Sequence, residues 1–238
     1  MQTNKINFFI LGIFIFLGLS SLGYFLTSAV VEYKQYDRIV KVKGLSEKEF
    51  EADIVIWPIQ YQIATNSIEE LYSLLDKNNK KIEEFLVKNG IENKEITFSS
   101  PNIVDRSAQQ YGGNIKAEYR YSASEIVTVY SKNIQGVREV KSTLSSLGKQ
   151  GIVFSGNDYQ ARTEYIFTRL NAIKPEMIEE ATKNARVVAQ KFADDSNSKL
   201  GKIKKASQGQ FSISQRDKNN PHIKKIRVVS TVEYYLVD

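Results

Sequence analysis

The stretch Glu179–Ile203 reads EEATKNARVVAQKFADDSNSKLGKI, and the rest of the chain is best read outward from it. Alanines recur at every fourth place: Ala181, Ala185, Ala189 and Ala193. Residues four apart on a helix lie one above another and form a surface ridge. A ridge of methyl groups can do no chemistry, but it lets the helix backbone lie close against a sheet or another helix. Val188 and Phe192 flank the row and are expected to supply larger knobs beside it. The helix is predicted from about Ala172 to Asp195, with Pro175 tolerable only in its first turn, where its missing N–H breaks no intrahelical bond.

Upstream, from Val40 onward, the apolar pattern switches repeatedly between period two and period 3.6. ADIVIWPIQYQIAT puts Val55, Trp57, Ile59, Tyr61 and Ile63 on one face of a long strand. Pro58 removes one ladder donor and predicts an edge strand or a bulge at that point. SIEELYSLLDKNNKKIEEFLVKNG opens with a capping box, Ser67 with Glu70, and carries Ile68, Leu71, Leu75, Ile82, Phe85 and Leu86 on one side. It stops at Asn89-Gly90. KEITFSSPNIVDR and KAEYRYSASEIVTVYS read as two strands joined through QYGGN, a hairpin signal. A short helix is predicted over Asn133–Leu147 and a further strand around Gln160–Thr168. Downstream, KIKKASQGQFSIS and HIKKIRVVSTVEYYLV are expected to close the chain as a hairpin. Strands in antiparallel pairs with helices between the pairs indicate an α+β fold, mainly antiparallel sheet with helices packed on one face.

The N-terminal FFILGIFIFLGLSSLGYFL, Phe8–Leu26, contains no charge, and about twenty apolar residues cross a bilayer core of roughly 30 Å as a helix. A transmembrane anchor over 8–26 is expected, after a flank of 1–7 and before a tether of 27–38. The rival reading is a signal peptide, with Thr27 and Ala29 at suitable cleavage positions, but its apolar region is typically only about 7–15 residues. Gly12, Gly18 and Gly23 form no GxxxG pair. Lys34, Arg38, Lys41 and Lys43 follow the span and only Lys5 precedes it, which by charge alone would keep the following domain in the cytoplasm. Residues 39–238 would form the folded part, divided if at all into lobes near 39–132 and 133–238.

Composition excludes several chemistries. The chain has 238 residues, no cysteine and one histidine, so disulfides, thiolate metal sites and thiol redox chemistry are absent. His222 lies in DKNNPHIKK, a polar turn in which an exposed ring is expected, not the buried, oriented imidazole of a catalytic triad. The pairs Glu69-Glu70, Glu83-Glu84, Glu179-Glu180 and Asp194-Asp195 diverge by about 100° on a helix and read as a solvated face. GKQG, Gly148–Gly151, imitates the GxxG of a KH clamp but sits where a helix-capping glycine is ordinary; no nucleic-acid partner is expected. No catalytic, metal or cofactor residue stands out, no cofactor is expected, and any small-molecule ligand is unknown. The net charge of +6 is concentrated late: nine Lys/Arg against Asp217 between Lys199 and Arg227. If the closing strands pair, Lys202 and Lys204 on one and Lys225 and Arg227 on the other could form a stripe contacting an anionic ligand or surface. Lysines protecting an exposed edge hairpin are the plainer reading.

Ala181, Ala185-Arg186, Ala189, Ala193, Asn197 and Gly201-Lys202 resemble the late-helix pattern A-x3-A-R-x2-A-x3-A-x3-G-x3-G-K of the SIMPL domain. Asn197 replaces the first glycine of that pattern, a residue that still tolerates a left-handed helix end. RIVKVKGLSEKEFEADIVIWPIQYQI is similar to the family's opening strand, with Gly44 and Asp53 matching and Ala52 where proline is usual. FLVKNGIENKEITFSS resembles the segment after the first helix. The resemblance runs from about Arg38 to the C-terminus. It implies an exported, envelope-associated domain, set outside the inner membrane in spite of the flanking charges, in a family where some members close into homo-oligomeric rings. It also implies a connection with oxidative-stress resistance and supplies no catalytic residues. The expected function is therefore non-enzymatic: a membrane partner through Phe8–Leu26, self-association, and a structural or scaffold role. With only Met1 and Met177, direct scavenging of oxidants is not expected.

Overall fold

Two antiparallel sheets organise the chain in a computed structural model that describes residues 3–36, 38–108, 118–155 and 162–237. The elements follow in order: α1 (Thr3–Tyr36), β1 (Ile39–Glu51), β2 (Ile54–Thr65), α2 (Ile68–Lys88), β3 (Ile96–Phe98), β4 (Asn102–Asp105) and β5 (Tyr121–Ser131). Then come α3 (Ile134–Ser142), α4 (Ser145–Gly148), β6 (Val153–Phe154), β7 (Glu164–Ile166), α5 (Leu170–Asp195), β8 (Lys199–Gln208), β9 (Ser212–Gln215) and β10 (Ile223–Val237). One sheet has the order β1-β10-β8, with β9 also on β10. The other has the order β3-β5-β2-β6, with β4 also on β5 and β7 also on β2. The fold is α+β. The QYGGN turn, residues 110–114, and the start of the strand predicted from Gln160 lie outside the described residues.

By contact the chain groups into two units: Met1–Glu47, Lys174–Ser212 and Arg227–Asp238 in the first, Lys48–Ile173 and Ile213–Ile226 in the second. The grouping is interleaved along the sequence, in place of consecutive halves meeting near residue 132.

In the second unit the period-two face of β2 and the stripe of α2 form one core. Val55, Trp57, Ile59 and Tyr61 are buried with Leu71, Leu75, Ile82 and Leu86, and with Val127, Val129, Val137 and Val140. β2 is not an edge strand and carries no bulge at Pro58, which faces Thr128 in an unbroken register with β5. Its other border is shared by two short strands, β7 opposite Ile54–Ile56 and β6 opposite Tyr61 and Gln62. Gln60 O accepts from Ser155 N on that side. Pro58, two residues away, turns its backbone the same way, so its missing donor faces the gap between β6 and β7.

Other local expectations shift for equally local reasons. Only half of the capping box forms: Ser67 Oγ accepts from Glu70 N at 3.3 Å, while the Glu70 carboxylate is taken by the Thr65 hydroxyl. The segment 94–106 becomes two strands on β5, because Ser99–Pro101 interrupt it and Ser99 bonds to Ile126 through both its N–H and its hydroxyl. The helix expected over Asn133–Leu147 breaks after Ser142. There the hydroxyls of Ser142 and Thr143 donate back to the Glu139 and Val140 carbonyls and compete with the helical pattern.

In the first unit α1 runs without interruption to Tyr36, so most of the expected tether is helical. Residues 27–36 contain neither Gly nor Pro to stop it. Phe9–Val30 is long and apolar enough to cross a membrane, with mean hydropathy 2.2; a signal sequence near the N-terminus meets the same criterion. α5 packs its alanine row on the sheet. Ala181, Ala185, Ala189 and Ala193 are all fully buried, beside Val42, Val232 and Tyr234. At its closest point α5 lies on Gly44 of β1, where an added Cβ would meet the Ala181 carbonyl oxygen at 1.8 Å and the Ala185 nitrogen at 2.4 Å. Ser46 Oγ donates to Glu180 (2.9 Å) and Asn184 Nδ2 to the Leu45 carbonyl (2.8 Å), pinning helix to strand on either side of that contact. The helix ends through Asn197 in a left-handed conformation, φ 53°, with Ser198 N bonded back to the Ala193 carbonyl. Val188 and Phe192, 38% and 56% exposed, are not the buried knobs expected beside the row; the buried row is the four alanines continued by Met177.

Candidate functional site

The basic residues of the closing strands are positioned by register. β8 runs antiparallel to β10 with Gln208 opposite Ser230 and Lys199 opposite Val237, and with irregularities on either side of Tyr234. Glu233 faces Lys205, and Ile203 faces Tyr234. Lys202 and Lys204, both exposed, therefore sit at the end of the sheet where β10 finishes. Lys204 Nζ stands 5.3 Å from the Tyr235 ring centroid, within cation–π reach. β1 joins them there: Arg38 O accepts from Leu236 N (2.9 Å) and Lys41 pairs with Glu233 (2.9 Å). The hydrogen bond from Lys41, with Lys205 and Lys204 close by, holds the Glu233 carboxyl below the usual range.

Lys225 and Arg227 are not part of this cluster by register. Both precede Ser230, the first β10 residue opposite β8. β8 ends at Gln208; the next N–H, that of Gly209, bonds to the Val229 carbonyl, and the chain then returns as β9. Lys225 lies beside β9, its carbonyl accepting from Ser214 Oγ (3.5 Å), and it belongs to the second unit. One strand of the expected stripe is thus present at one end, and the other two cations fall along a different stretch of β10.

The second unit holds what sequence reasoning passed over. Tyr61 Oη lies 2.7 Å from Glu125 Oε2 and 2.8 Å from Asn79 Oδ1, and Asn79 Nδ2 donates to Glu125 at 3.0 and 3.1 Å. Burial, and then the hydrogen bond and charge of Glu125, push the Tyr61 phenol well up. A signal for it existed: alternation along β5 puts Glu125 on the same face as Ala123, Val127 and Val129. Between α2 and the sheet these groups satisfy one another's hydrogen bonds and fix a packing arrangement.

His222 is buried, only 7% exposed, and not in an open turn as expected. Its carbonyl accepts from Ala52 N and its ring lies 6.0 Å from Tyr165, so pairing of 222 with the β1–β2 junction draws the ring inward. Burial, reinforced by the positive charge of Arg138, lowers its pKa. Asp53 anchors the start of α5. Burial alone would raise its pKa; the N–H and hydroxyl of Thr168 and the guanidinium of Arg169 outweigh that and lower it. Of the acidic pairs, Glu179 bonds Lys183, Glu180 accepts from Ser46 and Glu69 from Ser67, so these three carboxylates have local structural tasks.

An open groove of about 320 Å³ lies on the face of the six-stranded sheet turned away from α2, lined among others by Gln62, Asn102, Arg106, Ser122 and Ser124. Among the described residues no group of three or more His, Asp or Glu side chains is placed to hold a metal ion.

The pattern of Gly44 under an alanine-faced helix, Asp53 holding the residues that lead into that helix, and Asn197 closing it spans nearly the whole folded part. The family model for SIMPL, described as a protein of unknown function (DUF541), matches residues 40–232. No curated protein matches the chain. The match takes in β1, the alanine row and most of β10, and the chain belongs to the SIMPL family.

Proposed function

We propose that this is a single-pass, membrane-anchored protein that works without catalysis, through self-association of its SIMPL domain on the extracytoplasmic side of the inner (cytoplasmic) membrane. The observation that carries this reading is the apolar surface left exposed on α5. Val187, Val188 and Phe192 are 57%, 38% and 56% exposed on a helix whose buried row is already spent on the sheet. A second copy presenting the same face would cover that apolar surface, which is the self-complementary contact of a two-fold dimer. A link to stress resistance would then run through assembly. The described methionine, Met177, is fully buried and the chain has no cysteine, so neither offers an oxidant-accessible sulfur.

The absence of native cysteine makes the test direct. Phe192→Cys in the full chain, kept in membranes, should cross-link to a dimer with a short bismaleimide, and Phe192→Asp should return the chain to a monomer in light scattering. A Phe192→Cys chain that never cross-links at high density in the bilayer sinks the reading. A reporter fused after Asp238 tests the side: activity restricted to the cytoplasm would refute the placement.

A second reading, contact with an anionic ligand or surface, is favoured by the register that gathers Lys202, Lys204 and Lys205 beside Lys41.

A further inference from the structure

The chain leaves the apolar span and enters the first unit's sheet over a short distance. α1 continues six residues past Val30, and β1 begins at Ile39. Six helical residues rise about 9 Å and the residues between Tyr36 and Ile39 span at most about 10 Å, so Ile39 lies within about 20 Å of the span's end. The headgroup layer takes up roughly 6 Å of that, leaving at most about 14 Å, some one and a half Debye lengths of about 8–10 Å.

Register then fixes which residues share that end of the sheet. β10 finishes beside Arg38, and β8 begins opposite the last residues of β10. The three strand ends, 38–43, 199–205 and 233–238, carry seven Lys/Arg (Arg38, Lys41, Lys43, Lys199, Lys202, Lys204, Lys205) against two acidic residues, Glu233 and Asp238. Exposed apolar groups lie among them: Ile39, Ile203, Tyr235 and Val237 are each more than a third exposed. Cations interspersed with aliphatic side chains and a tyrosine, on a short lead from a membrane span, form a surface suited to the headgroup layer.

We propose that this end of the β1-β10-β8 sheet docks on the anionic phospholipid headgroups of the bilayer that α1 crosses. The inference rests on the anchored reading of α1 and names the partner of the anionic contact set out above. Lys225 and Arg227, placed elsewhere along β10, take no part.

The test uses the full chain with Val237→Cys, the sole cysteine, carrying a fluorophore, reconstituted in nanodiscs whose lipids bear a headgroup quencher. Each basic residue at an anionic surface contributes about fivefold to partitioning, so Lys202→Glu with Lys204→Glu should lower the docked-to-free ratio more than about tenfold. Quenching should be strong with phosphatidylglycerol, weak with phosphatidylcholine alone, and reversed by salt. Lys225→Glu with Arg227→Glu should leave it unchanged. Equal quenching in neutral discs, or no response to the Lys202 and Lys204 reversals, overturns the proposal. So does protection of the same site by soluble inorganic polyphosphate in neutral discs without any phosphatidylglycerol effect, although the anionic contact would then survive with a different partner. A chain that fails to enter the discs fails the anchored reading itself, a separate and visible outcome.

Discussion

The two units reach stability by opposite means. In the second, a strand face of Val55, Trp57, Ile59 and Tyr61 meets Leu71, Leu75, Ile82 and Leu86, and side-chain volume fills the space between helix and sheet. In the first, the buried cluster is Val42, Ala185, Ala189, Val232 and Tyr234, and the helix backbone itself comes down on Gly44. A core filled by large side chains is vulnerable to deletion, and one made by close backbone approach is vulnerable to addition. The same small residues that would be ruinous in one unit are required in the other.

That contrast can be broken by paired substitutions in the full chain, followed by unfolding and by amide exchange resolved along the sequence. Leu71→Ala should have the largest effect, a loss of about 3–4 kcal/mol with faster exchange confined to the second unit. Gly44→Val and Ala185→Leu should each cost about 2–3 kcal/mol and act on the first unit. If Ala185→Leu is neutral, the row is not in tight contact and the comparison fails.

Acid should weaken the second unit through two of its carboxyls in particular. The carboxyls of Asp105 and Asp217 are lowered from 3.8 to about 2, the first chiefly by a hydrogen bond from Arg120, the second by one from Arg216. Both lie in the second unit. A carboxyl lowered in the folded state stabilises it above the unfolded value, and that contribution is lost as pH falls through the folded one. Stability of the second unit should therefore decline between about pH 4 and pH 2, and Asp217→Asn should flatten that decline in a pH series of unfolding midpoints. His222 acts earlier and in the same direction. Its folded pKa is below 6.5, so the unfolded chain takes up its proton first and stability begins to fall as pH drops through 6.5. The smallest effect belongs to Asn197→Gly, which should leave the first unit equal or raise its stability by up to about 1 kcal/mol, since glycine meets a positive φ without strain. A loss there would show that the Asn197 side chain matters beyond its backbone.

What the sequence disclosed follows from how locally each feature is determined. The buried faces of β2 and α2 were legible because period two and period 3.6 depend on neighbours a few residues away. Asn197 was legible as a helix end only through the family pattern, where it stands at a glycine position and still tolerates the left-handed conformation. Pro58 was misread as an edge marker because the gap that accommodates it is made by β6 and β7, about a hundred residues downstream. His222 was misplaced for the same reason: its burial comes from Ala52 and Tyr165, not from the polar residues around it. Lys202 and Lys225 could not be separated without knowing that β8 starts opposite the end of β10 and that β9 takes the earlier stretch. The Tyr61–Asn79–Glu125 network needed three elements to meet, though Glu125 alone was already out of character for its face.

The interrupted border of β2 has a bearing on how this protein behaves in company. A wandering strand from another molecule could zip onto a naked sheet margin and seed a fibril. Here it would find two short stubs already in place and, between them, a ring nitrogen with no hydrogen to offer. The misfit of Pro58 thus works as a stopper against indiscriminate stacking, which leaves any orderly association to be made through other surfaces.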